Sequence, residues 1–125
     1  MRKVENPPTL REEFDNFWRE WIYKFYESAT SNKTVVFADG DATPNVYDKE
    51  LFKTANTGAT TITDFEDGYE NQKITVVIND ANTSIDFTGS NLKGNGGVDW
   101  SPSAGDHMTC VYDGEQYWYC TISEN

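Results

Sequence analysis

The residues that could support acid–base or nucleophilic chemistry are few and lie near the C-terminus. His107 is the single histidine of the chain, and Asp106 precedes it. Ser101 and Ser103 lie in the turn just upstream. These residue types could form a Ser-His-Asp site, but nothing in their spacing supports one, and a histidine at the entry to a strand is usually structural. We therefore expect no catalytic residues, and a protein that is not an enzyme.

Carboxylates are plentiful enough to suggest a metal site or a glycoside hydrolase. The segment that begins at Asp64 is close to a calcium loop, but Tyr69 stands where an EF-hand requires glycine. Asp39 and Asp41 fit an ordinary solvated turn equally well. One histidine and two cysteines do not make a zinc site. A small β unit with short turns leaves little room for a hydrolase cleft, so we expect neither a metal nor a cofactor.

The two cysteines, Cys110 and Cys120, flank the turn YDGEQY. In a hairpin with a two- or four-residue loop, the residue numbers of two directly paired residues add up to an odd number. The numbers 110 and 120 add up to an even number, so with such a loop the two cysteines would not be directly paired. We therefore expect the side chains to point to opposite faces, unless the loop has three or five residues. The favoured interpretation is a pair of free, buried thiols, and a disulfide is the alternative.

Aromatic side chains near the C-terminus could form a platform for sugar rings. The candidate glycan contacts are Trp100, Tyr117, Trp118 and Tyr119. Exposed indole and phenol rings stack on the apolar faces of sugars while their polar edges stay wet. Strand alternation places Tyr117 and Tyr119 on one face and Trp118 on the other. One of these faces is expected to be core, and the other an interface or a binding surface.

Charge and hydropathy exclude several classes of partner. The chain has 125 residues, a length that suits one domain with a short appendage, and a formal net charge of −11. That charge argues against binding nucleic acid or anionic lipid. No apolar run reaches the roughly 20 residues of a membrane-spanning helix, so we expect no membrane insertion. The N-terminus lacks the apolar region of a signal peptide, so we expect a soluble protein made in a cytoplasm.

The predicted secondary structure falls into two parts. Residues 9–28 predict an amphipathic helix, because Thr9 and Glu12 fit a capping box and one face is strongly apolar. The apolar face contains Leu10, Phe14, Phe17, Trp18, Trp21, Ile22 and Phe25. Such a face must be covered, either by the chain's own sheet, by further copies or by a larger assembly. We predict an anchor or stem helix over 1–30, a linker over 31–33 and a β knob over 34–125.

The second part consists of segments rich in β-branched and aromatic residues, separated by turn signals every 8–12 residues or so. The predicted strands are 34–38, 51–55, 60–63, 73–79, 84–87, 108–112 and 117–122. Val76, Ile78, Ile85 and Phe87 are expected in the core. In TTIT, alternation places Thr61 and Thr63 on one face and Ile62 with Thr60 on the other.

Several of these segments together resemble a known family. In order along the chain they are Leu51–Gly68, Gln72–Val76, Asp80–Ile85, Pro102–Asp106 and Val111–Tyr119. Over residues 44–122 the chain resembles the small C-terminal β module of bacteriophage tail fibres and tailspikes. The resemblance implies a trimeric, β-prism-like or β-solenoid-like module, in which the threonines form ladders rather than active sites. Unlike the long fibres, this chain has neither a shaft nor a depolymerase β-helix in front of the module.

Taken with the predicted N-terminal helix, the resemblance implies a mainly β virion protein in which that helix is followed by a small β-sandwich or β-prism-like knob. Its expected role is structural: a capsid decoration, head-fibre or short tail-fibre component that forms a homotrimer in the host cytoplasm. Other virion proteins would hold the helix, and the knob would face the host surface, where a glycan is the candidate contact. The alternative from a different class is a monomeric carbohydrate-binding module that uses Trp100 and Trp118.

Overall fold

A computed structural model describes residues 34–125, and this part of the chain is mainly β with no α-helix. The strands are β1 (Val35–Val36), β2 (Leu51–Lys53), β3 (Thr60–Ile62), β4 (Lys73–Val77), β5 (Thr83–Ile85), β6 (Leu92–Lys93), β7 (His107–Tyr112) and β8 (Trp118–Ser123). A single 3-10 turn spans Asn95–Gly97. The predicted helix, its seven apolar residues from Leu10 to Phe25 and the 31–33 linker lie outside the described residues.

The strands form a six-stranded sheet and a two-stranded sheet. The order in the larger sheet is β1-β2-β4-β7-β8-β6, and β3 pairs with β5 in the smaller one. Strands β1, β2 and β4 run parallel, as do β3 with β5 and β6 with β8. Strand β7 is antiparallel to both β4 and β8. The fold thus combines parallel stacking in its first half with an antiparallel hairpin at its C-terminus.

The parallel pairs arise because two successive stretches of chain follow the same path. Phe52 of β2 pairs with Val76 of β4, and farther along Ile62 of β3 pairs with Ile85 of β5. The chain from β2 to β3 therefore lies alongside the chain from β4 to β5, as two stacked coils. The polar turns between the strands are consequently brought beside one another.

One hydrophobic core joins the two sheets. Its members include Ile62 and Ile85 from the smaller sheet and Phe52 and Met108 from the larger one. The predicted core residues Val76, Ile78, Ile85 and Phe87 are all buried, which confirms that prediction. Full burial of such a side chain contributes about 1.5–3 kcal/mol, so this core is the main source of stability in the described part.

Alternation along the strands also follows the prediction. Thr60 and Ile62 are buried while Thr61 is exposed, and the Thr61 and Ser84 hydroxyls lie 2.9 Å apart across the parallel pair. Each of the seven predicted strands overlaps an observed strand, and most of the observed strands are shorter than predicted. Strand β6 was not predicted, since Leu92 and Lys93 are too short a run to stand out.

The cysteine pair corrects one expectation. Cys110 and Cys120 are direct cross-strand partners and therefore share the inner face of the sheet. The expectation of opposite faces was wrong because five residues, 113–117, separate β7 from β8. Both thiols are free and buried, as predicted. Burial, and then the neighbouring Cys120 thiol, raises the pKa of Cys110 well above its usual value, which keeps it in the unreactive thiol form at neutral pH.

Within residues 34–125 no helix is long and apolar enough to cross a membrane.

Candidate functional surface

The two tryptophans proposed as glycan contacts lie in the core. Trp100 is 3% exposed and Trp118 is fully buried. The ring of Trp118 stacks on Tyr112 at 4.7 Å between centroids and meets Phe65 edge-on at 5.4 Å. The Trp100 indole nitrogen donates a hydrogen bond to Glu124 at 2.9 Å. A buried indole cannot stack on a sugar, so the expected contact role of these two residues is wrong.

Tyr117 and Tyr119 flank Trp118 and lie on the opposite face; Tyr119 is in β8, and Tyr117 immediately precedes that strand. Tyr119 is 54% exposed, and its ring centroid is 6.5 Å from that of Tyr117. The Nζ atom of Lys93 lies 4.7 Å from the Tyr117 ring centroid, within range of a cation–π contact. Alternation around Trp118 is therefore as predicted. The sheet presents two aromatic rings and an amine outward.

Strand pairing extends this small cluster into a complete sheet face. Residues paired across neighbouring strands share a face, so the outward-facing residues follow from the register. They are Val36, Leu51, Lys53, Lys73, Thr75, Val77, Lys93, His107, Thr109, Val111, Tyr119, Thr121 and Ser123. We call this set the lysine face. None of the strand residues on the lysine face is an aspartate or a glutamate.

The charge of the lysine face is opposite to that of the rest of the described chain. Residues 34–125 contain four lysines, no arginine and fifteen acidic residues, so they account for a formal charge of −11. Three of the four lysines, Lys53, Lys73 and Lys93, lie on this face. Lys73 and Lys93 are three strands apart in one row, a separation of about 14 Å at the usual spacing between strands. The face is therefore a local basic surface on an acidic protein.

Carboxylates elsewhere serve the turns. After strands β1, β2 and β4 the stacked coils bring Asp39, Asn56, Thr57, Asp80 and Thr83 together, and we call these five residues the corner stack. The Thr57 backbone N–H and hydroxyl donate to Asp39 at 2.9 and 2.7 Å. The Asn56 backbone N–H donates to Asp80 at 2.9 Å, and its side-chain amide donates to Thr83 at 2.8 Å. The corner stack thus joins the turns that follow β1, β2 and β4 by hydrogen bonds.

Asp80 is the hub of the corner stack. Burial alone would raise its pKa, but hydrogen bonds from Thr54, Asn56, Asn82 and Thr83 outweigh that effect and lower the pKa to about 2. Donors aimed at a carboxylate stabilise its charged form, and the same contacts hold these turns in place. Asp80 is therefore an ionised structural group rather than an acid–base catalyst.

A polar groove of about 350 Å³ lies beside the smaller sheet. It is lined by Thr43, Thr63, Asp64, Asp86, Gly89, Ser90 and Asn91. Its two carboxylates already have partners. Asp64 accepts a hydrogen bond from the Asn91 amide at 2.9 Å, and Asp86 accepts one from the Thr88 backbone N–H at 2.8 Å. No group of three or more potential metal ligands lies together within residues 34–125.

The residues considered for a Ser-His-Asp site serve other purposes. The Asp106 carboxylate accepts hydrogen bonds from the backbone N–H groups of Asn125 and Ser103, both at 2.8 Å. These two contacts, in that order, lower the pKa of Asp106. His107 begins β7 and faces outward opposite Val77 and Ser123. Asp106 is thus a turn cap, and His107 belongs to the lysine face.

The lysines of this surface were not predicted as functional residues. Lys53, Lys73 and Lys93 are isolated in the sequence, and no local pattern marks them. One signal was available for Lys53 and Lys73, since each lies within a predicted strand next to a residue that proves to be buried. Lys93 lies in β6, which was not predicted. Only the register between strands brings them together.

Comparison of the chain with protein-family models, with curated proteins and with solved structures found no match.

Proposed function

We propose that the chain is a non-enzymatic structural component of a bacteriophage virion, either a capsid decoration, a head-fibre protein or a short tail-fibre component. Residues 34–125 form a sandwich-like or prism-like knob in a homotrimer. The N-terminal segment anchors the trimer to other virion proteins, and the knob is displayed toward the host surface.

One observation carries the proposal: the threonine-rich stretch Leu51–Gly68 is used for architecture. Thr54 is fully buried, and its hydroxyl oxygen accepts the backbone N–H of Asn79 at 2.9 Å. Thr57 binds Asp39 in the corner stack, and Thr61 bridges to Ser84 across the smaller sheet. Structural ladders of this kind are what the resemblance to fibre modules implies for these residues. They support a structural role for the stretch that carries the resemblance.

The anchor rests on the amino-acid pattern of residues 9–28. Its aromatic face would expose a large apolar surface if it stood alone, and a particle component is a suitable cover for it. Residues 1–33 contain as many basic as acidic residues, whereas residues 34–125 are strongly acidic. This difference supports a division between an attachment segment and a displayed knob.

Purified phage particles provide the test. We expect mass spectrometry to detect the chain in particles of the phage that encodes it, and antibodies against residues 34–125 to label the particle surface. The double substitution Phe17→Asp and Trp21→Asp should abolish incorporation, because it places charge on the apolar face. Arg11→Ser with Arg19→Ser changes the net charge equally on the polar face and should leave incorporation intact. A chain found only in the lysate, never in particles, would contradict the proposal.

A second candidate is favoured by the exposed tyrosine pair. Tyr117 and Tyr119, with Lys93 against the first ring, offer stacking and hydrogen bonding to a sugar. This alternative is a monomeric carbohydrate-binding module, with the tyrosines in place of the buried tryptophans. Glycan-array binding by the wild type that is lost in Tyr119→Ala would support it. Binding that Tyr119→Ala leaves unchanged would remove this surface from consideration.

A further inference from the structure

We propose that the lysine face is the surface through which copies of this chain contact one another, each face packing against a carboxylate-bearing surface of the next copy. This inference rests on the proposed homotrimer and assigns its interface.

Electrostatics favours the lysine face as the surface through which copies of the chain contact one another. Each chain carries a formal charge of −11, so assembly of three copies must overcome mutual repulsion. A contact between two carboxylate-bearing surfaces adds local repulsion to that cost. The lysine face has no strand carboxylate and contains Lys53, Lys73 and Lys93. Against an acidic surface of a second copy it replaces repulsion by attraction.

The uncharged residues of the lysine face also suit an interface. Val36 is 58% exposed and Leu51 is 37% exposed, and Val77 and Val111 are half-buried. Thr75, Thr109 and Thr121 lie in one row across β4, β7 and β8 between them. Protein interfaces combine an apolar centre with few charges at that centre and a polar rim. The valines, the leucine and the exposed tyrosine match the apolar part of that composition. The lysines suit the rim, because Lys53 and Lys73 lie at strand ends and Lys93 lies on the edge strand β6.

The arrangement of charge also selects the type of contact. If two lysine faces met each other, like charges would be brought together without a compensating carboxylate. Contact between the lysine face and a different, acidic surface is heterologous, and a heterologous contact that closes gives a ring such as a trimer. The acidic residues of the described chain lie off this face, so every copy supplies both surfaces.

The first arm of the test uses full-length protein in sedimentation velocity. Lys53→Gln with Lys73→Gln removes two charges from the lysine face. We expect the dissociation constant of the trimer to rise by about tenfold or more, since each lost amine leaves a carboxylate of the neighbour unpaired. Ser101→Asp with Ala104→Asp lowers the net charge by the same amount at two exposed positions of the loop before β7. This control should change the dissociation constant much less.

The second arm leaves the protein unaltered. A carbodiimide activates a carboxylate and then joins it to a lysine amine as an amide, with the displaced oxygen carried away on the urea by-product. A mixture of 15N-labelled and unlabelled chains identifies links between copies by mass spectrometry. We expect such links from Lys53, Lys73 or Lys93 to acidic residues of another chain.

Each outcome decides a different claim. A trimer with intermolecular links from these lysines, and weakened by the glutamine pair, supports the assigned interface. A trimer that tolerates the glutamine pair, with these lysines linked only within one chain, overturns the interface and leaves the homotrimer standing. A monomeric wild type removes the homotrimer, and this inference falls with it.

Discussion

The corner stack and the lysine face are both polar surface regions, but their polar groups are used differently. In the corner stack, Asp39 and Asp80 accept hydrogen bonds from backbone and side-chain donors of neighbouring coils. On the lysine face, no hydrogen bond joins the side chains of Lys53, Lys73 or Tyr119 to another of the described residues. The corner stack therefore serves the fold, while the charges of Lys53 and Lys73 have no hydrogen-bond partner among residues 34–125.

Because the charges of Lys53 and Lys73 have no hydrogen-bond partner among residues 34–125, their presence on one face needs another explanation. In an acidic chain, three lysines gathered on one sheet face would be an unusual result of solubility alone. The corner stack also shows that a cluster of carboxylates and threonines need not be a binding site. The comparison can be tested by changing matched residues in the two regions.

The largest expected effect is at Asp80. Replacement by Ala removes the acceptor of several donors in the corner stack, and unsatisfied donors cost about 1–3 kcal/mol each when shielded from water. We expect Asp80→Ala to lower the free energy of unfolding by about 2 kcal/mol in urea denaturation. Glu115→Ala, at an exposed carboxylate in the β7–β8 turn, is the control and should stay within about 0.5 kcal/mol. Equal losses in both variants would show that Asp80 is not a hub.

Low pH should destabilise the folded protein by protonating Asp80. The folded-state pKa of Asp80 is lowered to about 2 from its ordinary value of 3.8. The stability it contributes is therefore fully present above about pH 4 and is lost as the pH falls toward 2. We expect urea midpoints to fall across this window in the wild type and to fall less in Asp80→Asn. If the urea midpoints of the wild type and of Asp80→Asn fell equally with pH, Asp80 would not be the source of this acid sensitivity.

A buried threonine and an exposed threonine should differ in their contribution to the free energy of unfolding. Thr54 is fully buried and accepts the Asn79 N–H, so Thr54→Val leaves that donor unpaired at nearly constant volume. We expect a loss of about 1–2 kcal/mol in the free energy of unfolding. At a protein concentration at which light scattering records a single chain, Thr121→Val, on the exposed lysine face, should change it by less than about 0.5 kcal/mol, because valine suits a strand. A larger loss at Thr121 than at Thr54 would reverse the comparison.

The smallest effect on folding is expected from the lysines themselves. At a protein concentration at which light scattering records a single chain, Lys53→Gln with Lys73→Gln should change the free energy of unfolding by less than about 0.5 kcal/mol. The measurement is urea denaturation at that concentration. A loss above about 1 kcal/mol would mean that the lysines support the fold, and would remove the contrast with the corner stack.

Much of the fold could be predicted from local pattern. Strands β4, β7 and β8 follow from β-branched and aromatic residues between turn signals, and Trp118 and Tyr119 take opposite sides as alternation requires. Whether Cys110 and Cys120 share a face could not be predicted, because lengthening or shortening the loop between β7 and β8 by one residue reverses the result. Burial of Trp100 depends on its two backbone hydrogen bonds with the distant Ile85. No local pattern reports such a contact.

The candidate surface was the least predictable feature. Lys53, Lys73 and Lys93 share one face only because β2, β4 and β6 enter one sheet. That sheet combines the parallel pairs β2–β4 and β6–β8 with the antiparallel pairs of β7 with β4 and β8. The corner stack was predictable in part, since Asp, Asn and Thr at turns favour side-chain caps. Which turns stack on one another again depends on the register.

The solution mass of the full-length chain tests whether three copies assemble. Light scattering after size exclusion should give three times the chain mass of 14.2 kDa. The corresponding measurement on a chain that begins at Asn32 would then show whether the β knob suffices for assembly, as an interface on the lysine face requires. A mass of one chain for the full-length protein would contradict the account and favour the monomeric carbohydrate-binding module.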